Sequence, residues 1–261
     1  MTPVDLNQPC PLRALRSFGH AERSKIAAMR ATSGVKITSP LLAAAGPETR
    51  AALLSRASML AVPRGATIIA QDQPAERLLI LLQGSVGLST AEDGGAATMV
   101  EIVAAGDALS IAAALLQVPH SVSAVALAPC RLLAIPAEDL RAAMAADAGL
   151  MRAAMEQMTR QWRLLMEQVV DLKTRDATQR AARFLLHRLP AQRGAVEIPE
   201  PRGAIAARLG MTPESLSRAL HGLEAAGLLR LHGRRVDVPD RAALQRISLP
   251  RAGASQGARR V

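Results

Sequence analysis

The spacing of apolar residues changes several times along the chain, and each change marks a different kind of element. Residues 1–38 are polar, carry Pro3, Pro9 and Pro11, and show little periodicity beyond a helix around 21–31. They read as an N-terminal extension, partly disordered. From Leu41 to Leu60 the apolar spacing is helical. Between Ala61 and Pro136 it breaks into short runs: Thr67–Ala70, Leu78–Leu82, Val86–Leu88, Thr98–Val103, Val122–Leu127 and Leu132–Ile135. Turn signals separate them at Pro63-Arg64-Gly65, Asp72-Gln73-Pro74, Gly84, Asp93-Gly94-Gly95, Gly106-Asp107 and Ala128-Pro129. Runs and turns so spaced predict a small antiparallel barrel or β-roll.

Beyond Pro136 the period is helical again. Met151, Met155, Met158, Trp162, Leu165, Val169 and Leu172 alternate at intervals of four and three, a heptad seam with a wet opposite face. So narrow a seam predicts a dimerisation helix covered by its own copy, the alternative being packing against the roll alone. A second helix is expected over Asp176–Leu189, with Ala182, Leu185, Leu186 and Leu189 inward. Gln192–Pro201 follows as a linker or short strand pair.

Residues 201–226 carry the sharpest pattern: two short helices joined by a tight turn. Ile205, Ala206 and Leu209 share one inward face, and Gly210 stands where a helix end favours positive φ. Thr212 is an N-cap, Pro213 suits the first helical position, and Glu214 suits the positive end of the dipole. The second helix turns Leu216, Leu220 and Leu223 inward and Glu214, Ser215, Ser217, Arg218 and His221 outward. Such a helix fits the major groove of double-stranded DNA. Arg218 can donate twice to guanine, Glu214 can accept from cytosine, Ser217 can serve base or backbone, and Arg202 is placed for a phosphate. The plainer alternative is a helical hairpin with Glu214 and Arg218 as a surface pair. Directly after it, Leu228–Leu231 and Val236–Val238 flank a turn centred on His232-Gly233, a wing whose tip carries Arg234 and Arg235. Taken singly, each arginine could equally belong to a solvated turn.

Charge sharpens this picture. The chain holds 32 basic and 22 acidic residues, a net +10. Residues 1–150 hold 12 of each, whereas residues 174–261 hold 16 basic and 7 acidic. The excess therefore gathers where the paired helices lie, the footprint of a polyanion partner. No uncharged run is long enough to cross a membrane, and no signal peptide pattern opens the chain. Cys10 and Cys130 are the only cysteines, which excludes a disulfide framework and suits the cytoplasm. Two Phe, one Trp and no Tyr argue against single-strand binding by stacking. No Walker loop, Ser/His/Asp set or metal-spaced His cluster suggests an enzyme.

In the order roll, long helix, winged helix-turn-helix, the chain resembles the Crp/Fnr family of bacterial transcription regulators. The likeness spans about residues 41–245 and is carried by RGAIAARLGMTPESLSRALHGLEAAGLL, by DATQRAARFLLHRL, and by Gly65, Gly84 and Gly106-Asp107. It implies an α+β chain with an extension (1–38), a cyclic-nucleotide-binding-like roll (39–146), a dimerisation helix (147–174), a winged helix-turn-helix (175–248) and a basic tail (249–261). Glu214, Ser217 and Arg218 resemble the Fnr-like reading motif, which implies a homodimer on a palindrome of TTGA-type half-sites, acting on RNA polymerase. Pro213 replaces an arginine found in some relatives, so that slot makes no contact. Thr212, Ser215, Arg234 and Arg235 complete the expected DNA-binding set.

The resemblance is weaker in the sensor. Cyclic-AMP-binding members carry a Gly-Glu pair followed by Arg-Ser; here Ser110-Ile111 fills the first slot, and no arginine appears from 106 to 127. That speaks against cyclic AMP. Two cysteines speak against an iron–sulfur cluster within one chain. Haem is left open, with His120 and His20 as candidate axial ligands, so the alternative is a haem-containing gas or redox sensor. Neither Cys10 nor Cys130 has neighbours that clearly lower a thiol pKa, although Arg131 adjoins Cys130. An apolar effector, no effector, and a protein-interaction module without base reading complete the alternatives.

Overall fold

The computed structural model of the protein describes residues 27–30, 37–90, 98–190 and 194–250. The fold is α+β, in two compact units, Met1–Thr159 and Arg160–Val261, whose boundary falls inside one long helix.

The first unit runs β1 (Ala27–Arg30), α1 (Pro40–Ala43), α2 (Pro47–Arg56), β2 (Ser58–Val62), β3 (Thr67–Ile69), β4 (Arg77–Gln83), β5 (Ser85–Thr90), β6 (Thr98–Ala104), β7 (Ala108–Leu109), α3 (Ile111–Leu116), β8 (Ser123–Ala126), β9 (Cys130–Pro136) and α4 (Ala137–Ala146). The long helix α5 (Ala148–Thr174) follows. The strands form two antiparallel sheets, β1-β2-β9-β4-β7 and β3-β8-β5-β6. Both faces of the larger sheet are buried. Leu78 and Ile80 on β4, with Leu133 and Ile135 on β9, pack on Leu53, Leu140 and Leu150 from the helices. Leu79, Leu81, Leu132 and Ala134 pack instead on Val86, Val103, Ala124 and Ala126 of the other sheet. A strand covered on both sides has no polar face to alternate with, which is why 78–82 is an unbroken apolar run.

Each apolar run expected to be a strand is one. Two sequence readings are corrected. The helix around 21–31 is overturned where the structure describes it: Ala27–Arg30 is a strand, antiparallel to β2 with Ala27 opposite Ala61. An open sheet edge offers unpaired N–H and C=O groups, and that outweighs local helix propensity. The helical spacing of Leu41–Leu60 holds only to Arg56, after which β2 begins and pairs with β9. The remainder of 1–26, with His20 and Cys10, and residues 251–261 of the tail lie outside the described residues.

Gly84 carries the chain from β4 into β5, and so from one sheet to the other, at φ +97°. A Cβ there would lie 2.5 Å from the Pro129 carbonyl oxygen and 2.7 Å from the Cys130 sulfur. Gly84→Ala is expected to lower the unfolding free energy of this unit by about 2–3 kcal/mol, from left-handed strain and overpacking together. Urea denaturation measures it; an unshifted midpoint would show that the loop moves aside freely.

Helix α5 has two apolar faces. Leu150, Ala153, Ala154 and Gln157 recur at one-turn spacing and are buried against the roll, with Gln157 donating from Nε2 to the Ala108 carbonyl at 3.2 Å. Asp147 anchors its start, accepting from the Leu150 and Gly46 amides at 3.0 and 2.8 Å. The heptad seam is a different stripe: Met151, Met155, Met158, Trp162, Leu165, Val169 and Leu172 are 37–62% exposed in the single chain.

Candidate nucleic-acid interface

The second unit holds the end of α5, then α6 (Ala177–Arg188), β10 (Ala195–Glu197), α7 (Arg202–Arg208), α8 (Pro213–Ala225), β11 (Arg230–His232), β12 (Arg235–Asp237) and α9 (Arg241–Ser248). Local sequence explains most of these boundaries. Asp176 and Gln179 form a reciprocal capping box at α6: the Gln179 amide donates to Asp176 Oδ1 at 2.9 Å, and the Asp176 amide donates to Gln179 Oε1 at 3.0 Å. At the turn between α7 and α8, Gly210 takes φ +62°, and the Met211 amide reaches back to the Ala206 carbonyl at 3.0 Å. Thr212 then caps α8 by accepting from the Ser215 amide at 3.2 Å, with Pro213 at the first helical position.

These caps fix the rotation of α8. Leu216, Ala219, Leu220 and Leu223 are buried, so Glu214 and Arg218 stand exposed and Ser215 and Ser217 half-buried beside them. Arg218 donates from Nη2 to Ser215 Oγ at 3.2 Å, which steers the guanidinium along the helix. The Glu214 backbone N–H, the Thr212 hydroxyl and Arg218 hold the Glu214 carboxyl below its usual range. A carboxylate so held accepts hydrogen bonds and does not donate them. Arg202 is exposed at the start of α7.

The wing departs from expectation in two details. His232 pairs with Arg235, so the turn is Gly233-Arg234, one residue later than expected. Gly233 takes φ +63° at the first central position, as a two-residue hairpin of this hand requires. Arg235 is consequently a strand residue, with its Nε 2.7 Å from Asp237 Oδ1, and Arg234 alone occupies the tip. The stretch expected as a linker or strand pair supplies β10, which pairs with β12 rather than within itself.

A polar framework beneath this surface was not anticipated. Arg188 donates from Nη1 to both oxygens of Glu200 at 2.7 Å, and Glu200 is only 7% exposed. The Arg188 and Arg208 guanidinium carbons sit over Phe184 at 4.8 and 5.7 Å. Asp171 near the end of α5 receives Arg175 at 2.6 Å and Arg183 at 2.9 Å, while Glu167 receives Arg183 at 3.2 Å. Gln168 donates to the Arg208 carbonyl at 2.9 Å. The last turns of α5 are thereby tied to α6 and α7. Only the acidic-basic composition of 167–200 hinted at this network, since its partners are fixed by folding.

In the first unit, the segment standing where cyclic-AMP-binding relatives carry their cassette is held by a contact of its own. Ser110 takes φ +52°, and its Oγ lies 2.8 Å from His120 Nδ1. His120 is 7% exposed and locked by its backbone, which accepts from the Asp72 amide at 2.8 Å and donates to the Gln73 carbonyl at 2.9 Å. Burial pushes its imidazole pKa down, towards the neutral form. Ile111 is 1% exposed in the apolar core. Cys130 is buried, its thiol donating to the Ala128 and Ser85 carbonyls, and burial pushes its pKa up. That is an inert environment.

Known proteins show the same two parts. Residues 59–147 match the cyclic nucleotide-binding domain, and residues 179–247 match the Crp-like helix-turn-helix domain. The CRP-like cAMP-activated global transcriptional regulator of Mycobacterium tuberculosis is 26% identical over 206 residues, 77% of this chain and 92% of that protein. A solved Ruegeria pomeroyi protein described as cyclic nucleotide-binding is 30% identical, with TM-score 0.59 over 82% of this chain and 95% of its own. FixK2 of Bradyrhizobium japonicum shares the fold, with TM-score 0.68 at 24% identity over 75% of this chain and 99% of its own. Among the described residues no helix is long and apolar enough to cross a membrane. With the capped helix pair, the wing and the roll in their shared order, this chain belongs to the Crp/Fnr family of transcription regulators, a family of DNA-binding proteins and not of enzymes.

Proposed function

We propose that the protein is a homodimeric regulator that reads a palindrome of TTGA-type half-sites and recruits or blocks RNA polymerase there. The observation that carries this reading is the open face of α8, where Glu214, Ser217 and Arg218 stand together while the opposite face is buried. Thr212 and Ser215 hold the start of that helix, and Arg202 at the start of α7 and Arg234 at the wing tip are exposed cations. Arg235 contributes less, because Asp237 occupies it. The exposed stripe from Met151 to Leu172 supports pairing through α5, which would present two reading helices to successive half-sites. A signal in the roll acts on this seam by favouring one arrangement of the pair over the other.

Residues 106–127 speak against a cyclic nucleotide. Its phosphate needs a cation and its ribose hydroxyl an acceptor; Ile111 is neither, residues 106–127 contain no arginine, and burial favours neutral His120. The cAMP activation named for the Mycobacterium tuberculosis relative is therefore not carried over. Haem finds little support at His120, since reaching the imidazole would mean opening the Ser110 contact and the surrounding core.

The test is a gel shift with an inverted TTGA repeat against the same bases scrambled. Tight binding to the repeat alone supports the reading, and equal affinity for both refutes it. Arg218→Ala is expected to cost about 1–3 kcal/mol and to relax one base position, whereas Arg202→Ala weakens every sequence alike. A uniform loss from Arg218→Ala would reassign that residue to the phosphate backbone.

A further inference from the structure

The reading face of α8 does not stop at Arg218. Glu214, Ser217, Arg218 and His221 fall at i, i+3, i+4 and i+7, so His221 extends the same stripe by one turn. It is exposed, and its ring is oriented: Nδ1 lies 2.8 Å from the Ser217 carbonyl oxygen. A carbonyl can only accept, so Nδ1 donates to it, which leaves Nε2 as the ring's other nitrogen. Nε2 of the neutral ring has only a lone pair, and becomes a donor when the ring is an imidazolium. Base edges are met by the first turns of a reading helix, while residues further along ride beside the sugar-phosphate wall. His221 lies about 10 Å beyond Glu214 along the axis.

We propose that His221 is a proton-gated phosphate contact, its imidazolium donating from Nε2 to the DNA backbone so that complex formation takes up one proton per protomer. This rests on the DNA-reading role of α8 proposed above. The polyanion favours the charged ring, so binding tightens as pH falls. On its own helix the charged neighbours are Arg218, one turn back, and Glu224, one turn on, whose Oε1 is held by the Leu231 amide at 2.8 Å. The helices packed on α8 carry further arginines: Arg180 and Arg183 on α6, Arg202 and Arg208 on α7. The histidines to be separated from His221 are His187 on α6 and His232 on β11, the latter 3.5 Å from Asp237.

The experiment measures affinity of the full chain for the inverted TTGA repeat against salt concentration, at pH 6.0 and pH 8.0. Each neutralised phosphate adds about 0.9 to the slope of log K on log salt. The wild type is expected to be steeper at pH 6.0 by up to about 1.8, from the two copies of this residue in the dimer, His221→Gln to lose that increment, and His221→Lys to be steep at both pH values. His187→Gln and His232→Gln are expected to keep it. An increment that survives intact in His221→Gln overturns the proposal, as does a wild type with equal slopes. Absence of any preference for the repeat at pH 8.0 would instead remove the DNA-reading role itself, a separate and earlier failure.

Discussion

Leu165→Glu combined with Val169→Glu is expected to yield a folded monomer that has lost about 100-fold or more of the affinity for the inverted repeat. Both side chains are more than 40% exposed in the single chain, so their replacement removes nothing from its own core. In a paired seam the same positions would bury two carboxylates per helix against an apolar partner, at a cost that pairing could not recover. The loss in DNA binding follows from linkage. Two readers joined by one scaffold bind the second half-site at high effective concentration, and separated readers forgo that advantage. Sedimentation measures the oligomer and a gel shift the affinity. A variant that still dimerises and binds like the wild type would place the dimer interface elsewhere. Met151, Met155 and Met158 line the same stripe, and in the proposed pair their flexible side chains would let it repack.

Glu200→Ala is expected to destabilise the second unit by about 3–5 kcal/mol, the range for removing one partner of a buried ion pair. The carboxylate is almost wholly buried and receives both its close contacts from one guanidinium. Its loss leaves Arg188 without a counter-charge, beside a Phe184 ring that cannot replace it. Replacing both partners, Arg188→Met with Glu200→Leu, is expected to restore most of the stability, because the isolated charge is the costly element. Denaturant unfolding checks both variants. A mild loss in Glu200→Ala, with no recovery in the double variant, would mean that water already reaches the pair.

These two sites differ in how far the sequence discloses them. The seam is a repeat along one helix, visible as spacing, whereas Glu200 and Arg188 are twelve positions apart with a strand between. No period links them. The same contrast runs through the reading surface. The caps of α8 were legible because Thr212, Pro213 and Gly210 act within a single turn of backbone. The wing was legible as a hairpin, yet its register and the engagement of Arg235 by Asp237 came from strand pairing.

In the roll, apolar runs disclosed the strands but not their partners. Ala27–Arg30 became an edge strand because β2 had an unpaired edge, a property of the assembled sheet and invisible in four residues of sequence. Likewise Ser110 and His120 meet only because α3 and the following loop fold back upon themselves. By itself, then, the sequence determined the strand runs between Thr67 and Ile135, the rotation of α8 and the stripe on α5, since each depends on hydrogen bonds or periodicity within a few turns of backbone. Tertiary structure alone decided which face of α5 the roll covers, that Ser110 meets His120, and which buried charges are paired. Those outcomes depend on distant segments sharing one desolvated space, where the energy of a side chain is set by whatever the fold brings beside it.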